Sequence, residues 1–384
     1  MRASMVSAAL VAALVGYGST ITLVLAAAAA VGATPAQTAS WVFAICLAKA
    51  AGSAVLSVAT RVPVVLAWST PGAALIAATS GISMAEAVGA FVLAAALIAL
   101  SGAVRPLGRL IAAIPDGIAA GMLAGVLLPF VLRLAGTAQT APGLILPVIG
   151  VFALVRLWNP SFAVLVALVT GTTLGLLAPG EPPSIGFALP ELTFIAPEFR
   201  ASVLIGLGLP LFLVTMASQN LPGFATLRAA GYAPPVRPAL LVTGTISAVA
   251  ALFGAHTVSM AAITAAICLG DDVHPDRSQR WKVGLAYAAI WVALGVFGPL
   301  ILGLIGALPP TVVAAIVSLA LLGPLTGALT GAFQQVPQRF AAAVTLTVTA
   351  SGVAAFGIGA AFWGLVAGLA VFGLEHAANH LRRI

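Results

Sequence analysis

The residues that could do chemistry in this sequence are few, and almost all lie in apolar surroundings. They are Tyr17 and Ser19, Lys49, the run Trp68, Ser69 and Thr70, the adjacent amides Gln219 and Asn220, and the run His256, Thr257 and Ser259. Hydroxyls, amides and one imidazole beside a single cation can hydrogen-bond an anion and hold one proton. The set does not resemble a catalytic centre. The chain has no HExxH pair, no Gly-rich phosphate loop with its Lys and no GxSxG elbow. An enzyme is therefore not expected, nor is a cofactor or a metal. Cys46 and Cys268 both fall inside apolar runs and read as packing residues.

Such groups must be positioned by elements that live in lipid. Hydrophobic residues make up 61% of the chain, charged ones 7%, and the mean hydropathy is +1.17, against roughly 25% charged residues in soluble domains. The net charge of +7 is carried by basic residues scattered singly at helix ends, which argues against nucleic acid. Apolar runs of about 20 residues divide the chain into fourteen elements, an all-α polytopic membrane protein. The first run, residues 5–31, exceeds the roughly 7–15 residues of a signal core and reads as an uncleaved span. The Pro-rich connection 178–200, with Glu181, Glu191 and Glu198, separates two halves, 1–192 and 193–384.

The third element, within residues 61–81, cannot be one continuous helix, because Pro71 and Gly72 interrupt it. Residues 63–68 read as extended chain, and 71–79 as a half-helix of ~14 Å with Thr70 as N-cap and Pro71 in the first position. The tenth element repeats the pattern: 253–259 extended, 260–269 helical, then Gly270 and the Asp271-Asp272 turn. Ser69 and Ser259 hold matching places about half the chain apart. Seven elements per half is an odd number, so the second half enters the membrane from the opposite side, as an inverted repeat. Two half-helix N-termini, each worth about half a positive charge, then face each other near the midplane. With the N-terminus in the cytoplasm, only Arg133 and Arg200 of the 16 Lys and Arg residues fall outside, and Lys49 lies within a span. That agrees with the positive-inside rule and places both termini in the cytoplasm.

Three segments carry a family resemblance: residues 67–75 (AWSTPGAAL), 215–224 (TMASQNLPGF) and 261–268 (AAITAAIC). They closely resemble segments of the bacterial benzoate/proton symporters (BenE), relatives of uracil, xanthine and sulfate-type transporters with a seven-plus-seven fold. The resemblance implies a core domain (about 1–104 and 199–305), a gate domain (about 105–178 and 306–384), alternating access, and a homodimer through the gate. It implies import of a small aromatic carboxylate, benzoate foremost, with a proton, across the inner membrane. Another small anion or a nucleobase is the alternative cargo, and an anion channel the alternative mechanism. Two departures stand out: Ser259 where the family carries Asn, and Lys49 where a small residue is usual.

Each candidate also has a structural role open to it. Gln219 and Asn220 either line the substrate cavity or hydrogen-bond between helices. His256 is the proton-coupling candidate, or a neutral ring bonded to backbone. Ser69, Thr70, Thr257 and Ser259 cap the half-helices or touch a carboxylate. Trp68 stacks on an aromatic ring or packs, and Tyr17 and Ser19 form a polar notch that lines a cavity or admits a neighbouring helix. Lys49 is expected to snorkel to the nearer membrane surface, with pairing to the substrate anion as the other role. Glu86 and Asp116 fall where helix starts favour acids.

Overall fold

Long apolar helices and two spans that break into extended chain build the fold. A computed structural model describes residues 2–18, 20–104, 114–177, 189–261, 263–271, 273–356 and 358–381. The first half runs α1 (Ala3–Gly18), α2 (Ile21–Ala30), α3 (Pro35–Thr60), β1 (Leu66–Trp68), α4 (Thr70–Ala77), α5 (Met84–Ala103), α6 (Asp116–Thr140), α7 (Pro142–Trp158) and α8 (Pro160–Leu177). The second half runs α9 (Ala201–Ala229), α10 (Val236–Ala251), β2 (Val258–Met260), α11 (Ile263–Ile267), α12 (Val283–Val296), α13 (Gly298–Gly306), α14 (Pro310–Gln334), α15 (Arg339–Ala350) and α16 (Ala360–Leu381). Among the described residues seven helices are long and apolar enough to cross a membrane, and α12 with α13 forms an eighth span bent by 52°. With the shorter helices and the two broken elements they fill the fourteen expected places.

Local sequence explains where the helices start. Thr34 with Gln37, and Ser83 with Glu86, form capping boxes in which each side chain accepts the other residue's amide. Glu86 therefore sits at a helix start, as expected, and also pairs with Arg200 at 2.9 Å. The α3 helix ends on Arg61 in the left-handed conformation, with its guanidinium over the Trp281 ring.

Packing sorts the helices into neighbours. The α5 helix lies along α10, α12 along α3, α2 against α4, and α1 against α12. Elsewhere α6 lies along α14 and α15, α15 against α16, and α7 against α8. Where α5 meets α10, Gly244 lets the backbones touch, since a Cβ there would sit 2.7 Å from the Ala99 Cα.

The two broken elements meet as a two-stranded antiparallel ribbon in which Leu66 pairs with Met260, Ala67 with Ser259 and Trp68 with Val258. Its outer amides would be stranded in lipid without partners. Serines on the flanking helices take them. Ser53 accepts from the Leu66 N–H at 3.0 Å, and Ser247 from the Val258 N–H at 2.8 Å. Those two amides are equivalent under a two-fold axis through the Ala67–Ser259 pair, so the inverted repeat extends to how its strand edges are satisfied.

The register corrects one expected correspondence. Under the same axis Ser259 is the counterpart of Ala67, and the counterpart of Ser69 is Ala261. The second half-helix is also shorter than expected, five residues from Ile263 to Ile267. In the first, Ser69 rather than Thr70 is the N-cap: its side chain accepts from the Gly72 N–H, which puts Thr70 and Pro71 in the first two helical positions.

Candidate substrate site

The polar groups converge where α4 leaves the ribbon. Ser69 Oγ accepts from the Gly72 N–H at 3.1 Å and from the Thr215 hydroxyl at 2.9 Å. Thr215 Oγ1 in turn lies 2.9 Å from Thr257 Oγ1. Three buried hydroxyls, one each from the third, eighth and tenth elements, thus form a chain beside the positive end of an eight-residue helix. The backbone joins the same elements, because the Ser69 N–H donates to the Thr257 carbonyl at 2.9 Å. Gly72 is required at this point: a Cβ there would sit 2.8 Å from Ser69 Oγ.

His256 is fully buried and both ring nitrogens are engaged. Nδ1 faces the Trp41 indole N–H at 3.0 Å, and Nε2 faces the Ser69 carbonyl at 3.2 Å. An indole N–H only donates, so Nδ1 is the acceptor and the ring proton lies on Nε2, donating to Ser69. The imidazole is therefore held neutral in this arrangement. A second proton on Nδ1 requires Trp41 to withdraw.

The two amides separate in role. Asn220 is buried; its Oδ1 accepts from the Met260 N–H at 3.0 Å and its Nδ2 reaches Met216 Sδ. It ties α9 to the end of β2. Gln219 is half-buried and makes no side-chain hydrogen bond among the described residues, which leaves it able to meet a ligand. Both lie in a π-helical turn, Met216–Asn220, whose extra residue turns successive side chains to new directions. Ser259 makes only a long contact to the Ala67 carbonyl, 3.4 Å. Thr70 is half-buried at the helix start, and Ser19 lies outside the described residues.

Lys49 corrects the expectation of snorkelling. It is 1% exposed, with Nζ 3.0 Å from the centre of the Trp291 ring and 4.1 Å from that of Trp68. Desolvated cation–π contacts are worth about 2 kcal/mol or more, and this pair holds the ammonium inside the protein. Trp68 donates its indole N–H to Thr20 Oγ1 at 2.7 Å, and the Tyr17 ring lies 5.7 Å from it and 5.8 Å from Trp291. Tyr17, Trp68 and Trp291 thus form an aromatic box with Lys49 in it. Tyr287 supports the box from α12, donating to the Leu66 carbonyl at 2.9 Å.

Thr215, Trp41, Tyr287 and Trp291 belong to this constellation although sequence reasoning did not single them out. Thr215 had a signal: it stands one helical turn before Gln219, on the same face. Trp41 had none, since its partner His256 is 215 positions away.

Two hollows are found among the described residues. A cavity of about 780 Å³ is lined by Leu25, Ala29 and Leu302 on one side and by Phe130, Arg133 and Ser318 on the other. A second hollow, beside Asp116, Ala217 and Leu221, holds only about 20 Å³.

Comparison with known proteins agrees with this architecture. The family of benzoate membrane transport proteins, BenE, matches residues 1–374. Inner membrane protein YdcO of Escherichia coli (strain K12) is 40% identical over 364 residues, covering 94% of this chain and 93% of that one. A benzoate membrane transport protein of Acinetobacter baylyi is 34% identical over 367 residues, covering 95% and 93%. The transmembrane domain of a cyanobacterial bicarbonate transporter, BicA, superposes with a TM-score of 0.62 at 15% identity, covering 96% of this chain and 98% of that one. SLC26A9 superposes with a TM-score of 0.60 at 15% identity, covering 97% and 65%. At such identities these structures speak for the fold, that of inverted-repeat transporters. Sequence and fold together make the chain a multi-pass membrane transporter of the BenE, or benzoate membrane transport protein, family.

Proposed function

We propose that this protein imports benzoate, or a close aromatic carboxylate, together with a proton across the bacterial inner membrane. The observation that carries the reading is the hydroxyl chain Ser69–Thr215–Thr257 at the start of α4, in a chain of the benzoate transporter family. Hydroxyl donors and a helix N-terminus suit a carboxylate, and Trp68 beside them suits an aromatic ring. Tyr17, Trp68, Ser69, Thr70, Gln219, Asn220, His256, Thr257 and Ser259 surround this place, Asn220 and Ser259 by holding backbone.

Energetics favour coupling. A lone anion entering against an inside-negative potential costs about 2.3 kcal/mol per 100 mV, whereas anion plus proton is neutral and gains about 1.4 kcal/mol per pH unit. His256 is the proposed proton carrier: protonation of Nδ1 would release Trp41 and loosen α3 from the ribbon. Packing is consistent with a core of elements one to four and eight to eleven moving against a gate of five to seven and twelve to fourteen; the homodimer through the gate rests on the family resemblance. The large cavity lies between these groups.

Uptake of labelled benzoate into proteoliposomes should rise with an inward proton gradient, and uptake indifferent to that gradient would remove the coupling. His256→Ala should impair gradient-driven uptake more than substrate exchange; equal loss of both would leave His256 a structural residue. Failure of benzoate to compete in a panel of small anions and nucleobases would reassign the cargo. Conductance far above carrier turnover would make the protein a channel.

A further inference from the structure

We propose that Lys49 is a built-in countercharge for the substrate carboxylate, kept in the aromatic box until the carboxylate arrives, with Tyr17 Oη–H and Trp291 Nε1–H completing the carboxylate's hydrogen bonds. This rests on the aromatic-carboxylate reading given above and adds the group that recognises the charge.

Three observations meet at this place. First, a buried ammonium lacks an anion. Among the described residues the ion pairs are Glu86–Arg200 and Arg280–Asp271, and no carboxylate comes within ion-pair distance of Lys49. Its titratable neighbours Tyr17 and Cys46 are uncharged at neutral pH, and His256 is held neutral by its two bonds. Burying an unpaired cation costs several kcal/mol, which two cation–π contacts offset only in part.

Second, two further donors around the same ammonium are orphaned. Tyr17 Oη and Trp291 Nε1 are buried and make no hydrogen bond of good geometry, although the indole lies near enough to the Tyr287 hydroxyl to interact with it weakly. The indole can only donate, so what is missing is an acceptor. A cation and two hydrogen-bond donors without an acceptor fit one group with two anionic oxygens.

Third, the walls are aromatic. The rings of Trp68 and Trp291 lie 5.2 Å apart, edge to face, with Tyr17 closing the box. Once Nζ leaves the Trp291 face for the carboxylate, those faces are free to pack on the ligand's ring. The box and the hydroxyl chain are joined through the backbone, because Trp68 directly precedes Ser69. A neutral nucleobase would leave the ammonium unpaired, so the same geometry disfavours that cargo.

The test is equilibrium binding of benzoate and of benzamide, its neutral isostere, to detergent-purified protein. Wild type should prefer benzoate. Lys49→Gln should lower benzoate affinity by ~30-fold or more, the scale of losing one partner of a buried charge pair, and leave benzamide within about threefold. Lys49→Arg should retain part of the preference. Misfolding would weaken both ligands together, so selective loss of the charged one is the signature. An unchanged benzoate preference in Lys49→Gln would overturn the assignment while leaving the cargo intact. Wild type binding neither ligand would overturn the cargo itself. If the Lys49 variants do not fold, indole emission of the wild type decides: benzoate, but not benzamide, should shift it, and Trp291→Phe should remove most of the shift. No benzoate-dependent shift at saturation would refute the proposal.

Discussion

The two broken elements share a backbone plan but not a means of support. The first makes an eight-residue helix with its own cap, Ser69, and a proline in its first turn. The second makes five helical residues, and Ala261 stands where Ser69 stands in the first. It lacks a hydroxyl there, and its strand is instead held by Asn220 from α9 through the Met260 N–H. In return, the second element lends its extended chain to the first: Thr257 reaches Thr215 and His256 reaches the Ser69 carbonyl. The repeat is symmetric in its ribbon and asymmetric in its chemistry. The polar groups gather at one end, the end where α4 begins, and that asymmetry suits the single oriented carboxylate proposed above.

This contrast can be broken from either side. Ser69→Ala should be the most damaging change, because it removes a cap and leaves Thr215 without its acceptor. A loss of about 2–4 kcal/mol follows from those two effects, read as a fall in thermal stability in detergent together with abolished uptake. Asn220→Leu should come next, stranding the Met260 amide at about 1–3 kcal/mol. If it matched Ser69→Ala in abolishing binding, the two elements would be functionally equivalent and the contrast would fall. Thr257→Val should weaken substrate binding severalfold while Ser259→Ala stays within about 0.5 kcal/mol of wild type, since a 3.4 Å contact contributes little.

The smallest effect is expected in the turn after the second broken element, where the Ser278 hydroxyl and amide hold the Asp276 carboxyl below its ordinary value of 3.8. A depressed folded value means that the contribution is present above the unfolded value and lost as pH falls through the folded one. Asp276→Asn should lower thermal stability slightly at neutral pH, and the difference from wild type should vanish as pH falls below 3.8, where the wild type loses the same contribution.

Much of this architecture is legible in the chain. Pro71 with Gly72, and Gly254 with Gly270, mark both breaks, because these residues act on the local backbone. The pairing register is not legible, since a shift of two residues keeps every side chain on its face. It took the ribbon itself to show that Ser69 answers to Ala261. The sequence places Lys49 near enough to a span end to snorkel, but α3 continues to Thr60, about three turns beyond it; its direction depends on Trp291, which sequence alone does not bring near it. His256 was visible as an intramembrane imidazole, but its protonation is set by Trp41, more than half the chain away. Asn220 and Gln219 looked interchangeable, and only the π turn assigns one to the backbone and leaves the other open.

The ribbon also restricts the route a cargo can take. Each strand's inner amides bond the other strand, and the outer amides of Leu66, Val258 and Met260 bond Ser53 on α3, Ser247 on α10 and Asn220 on α9. Parting the strands to let an ion through would expose several amides and carbonyls at once in a medium with nothing to replace their partners. A passage through this seam would cost all of those bonds together, which favours the proposed mechanism, in which a cargo beside Ser69 moves with the ribbon and the helices that fasten it.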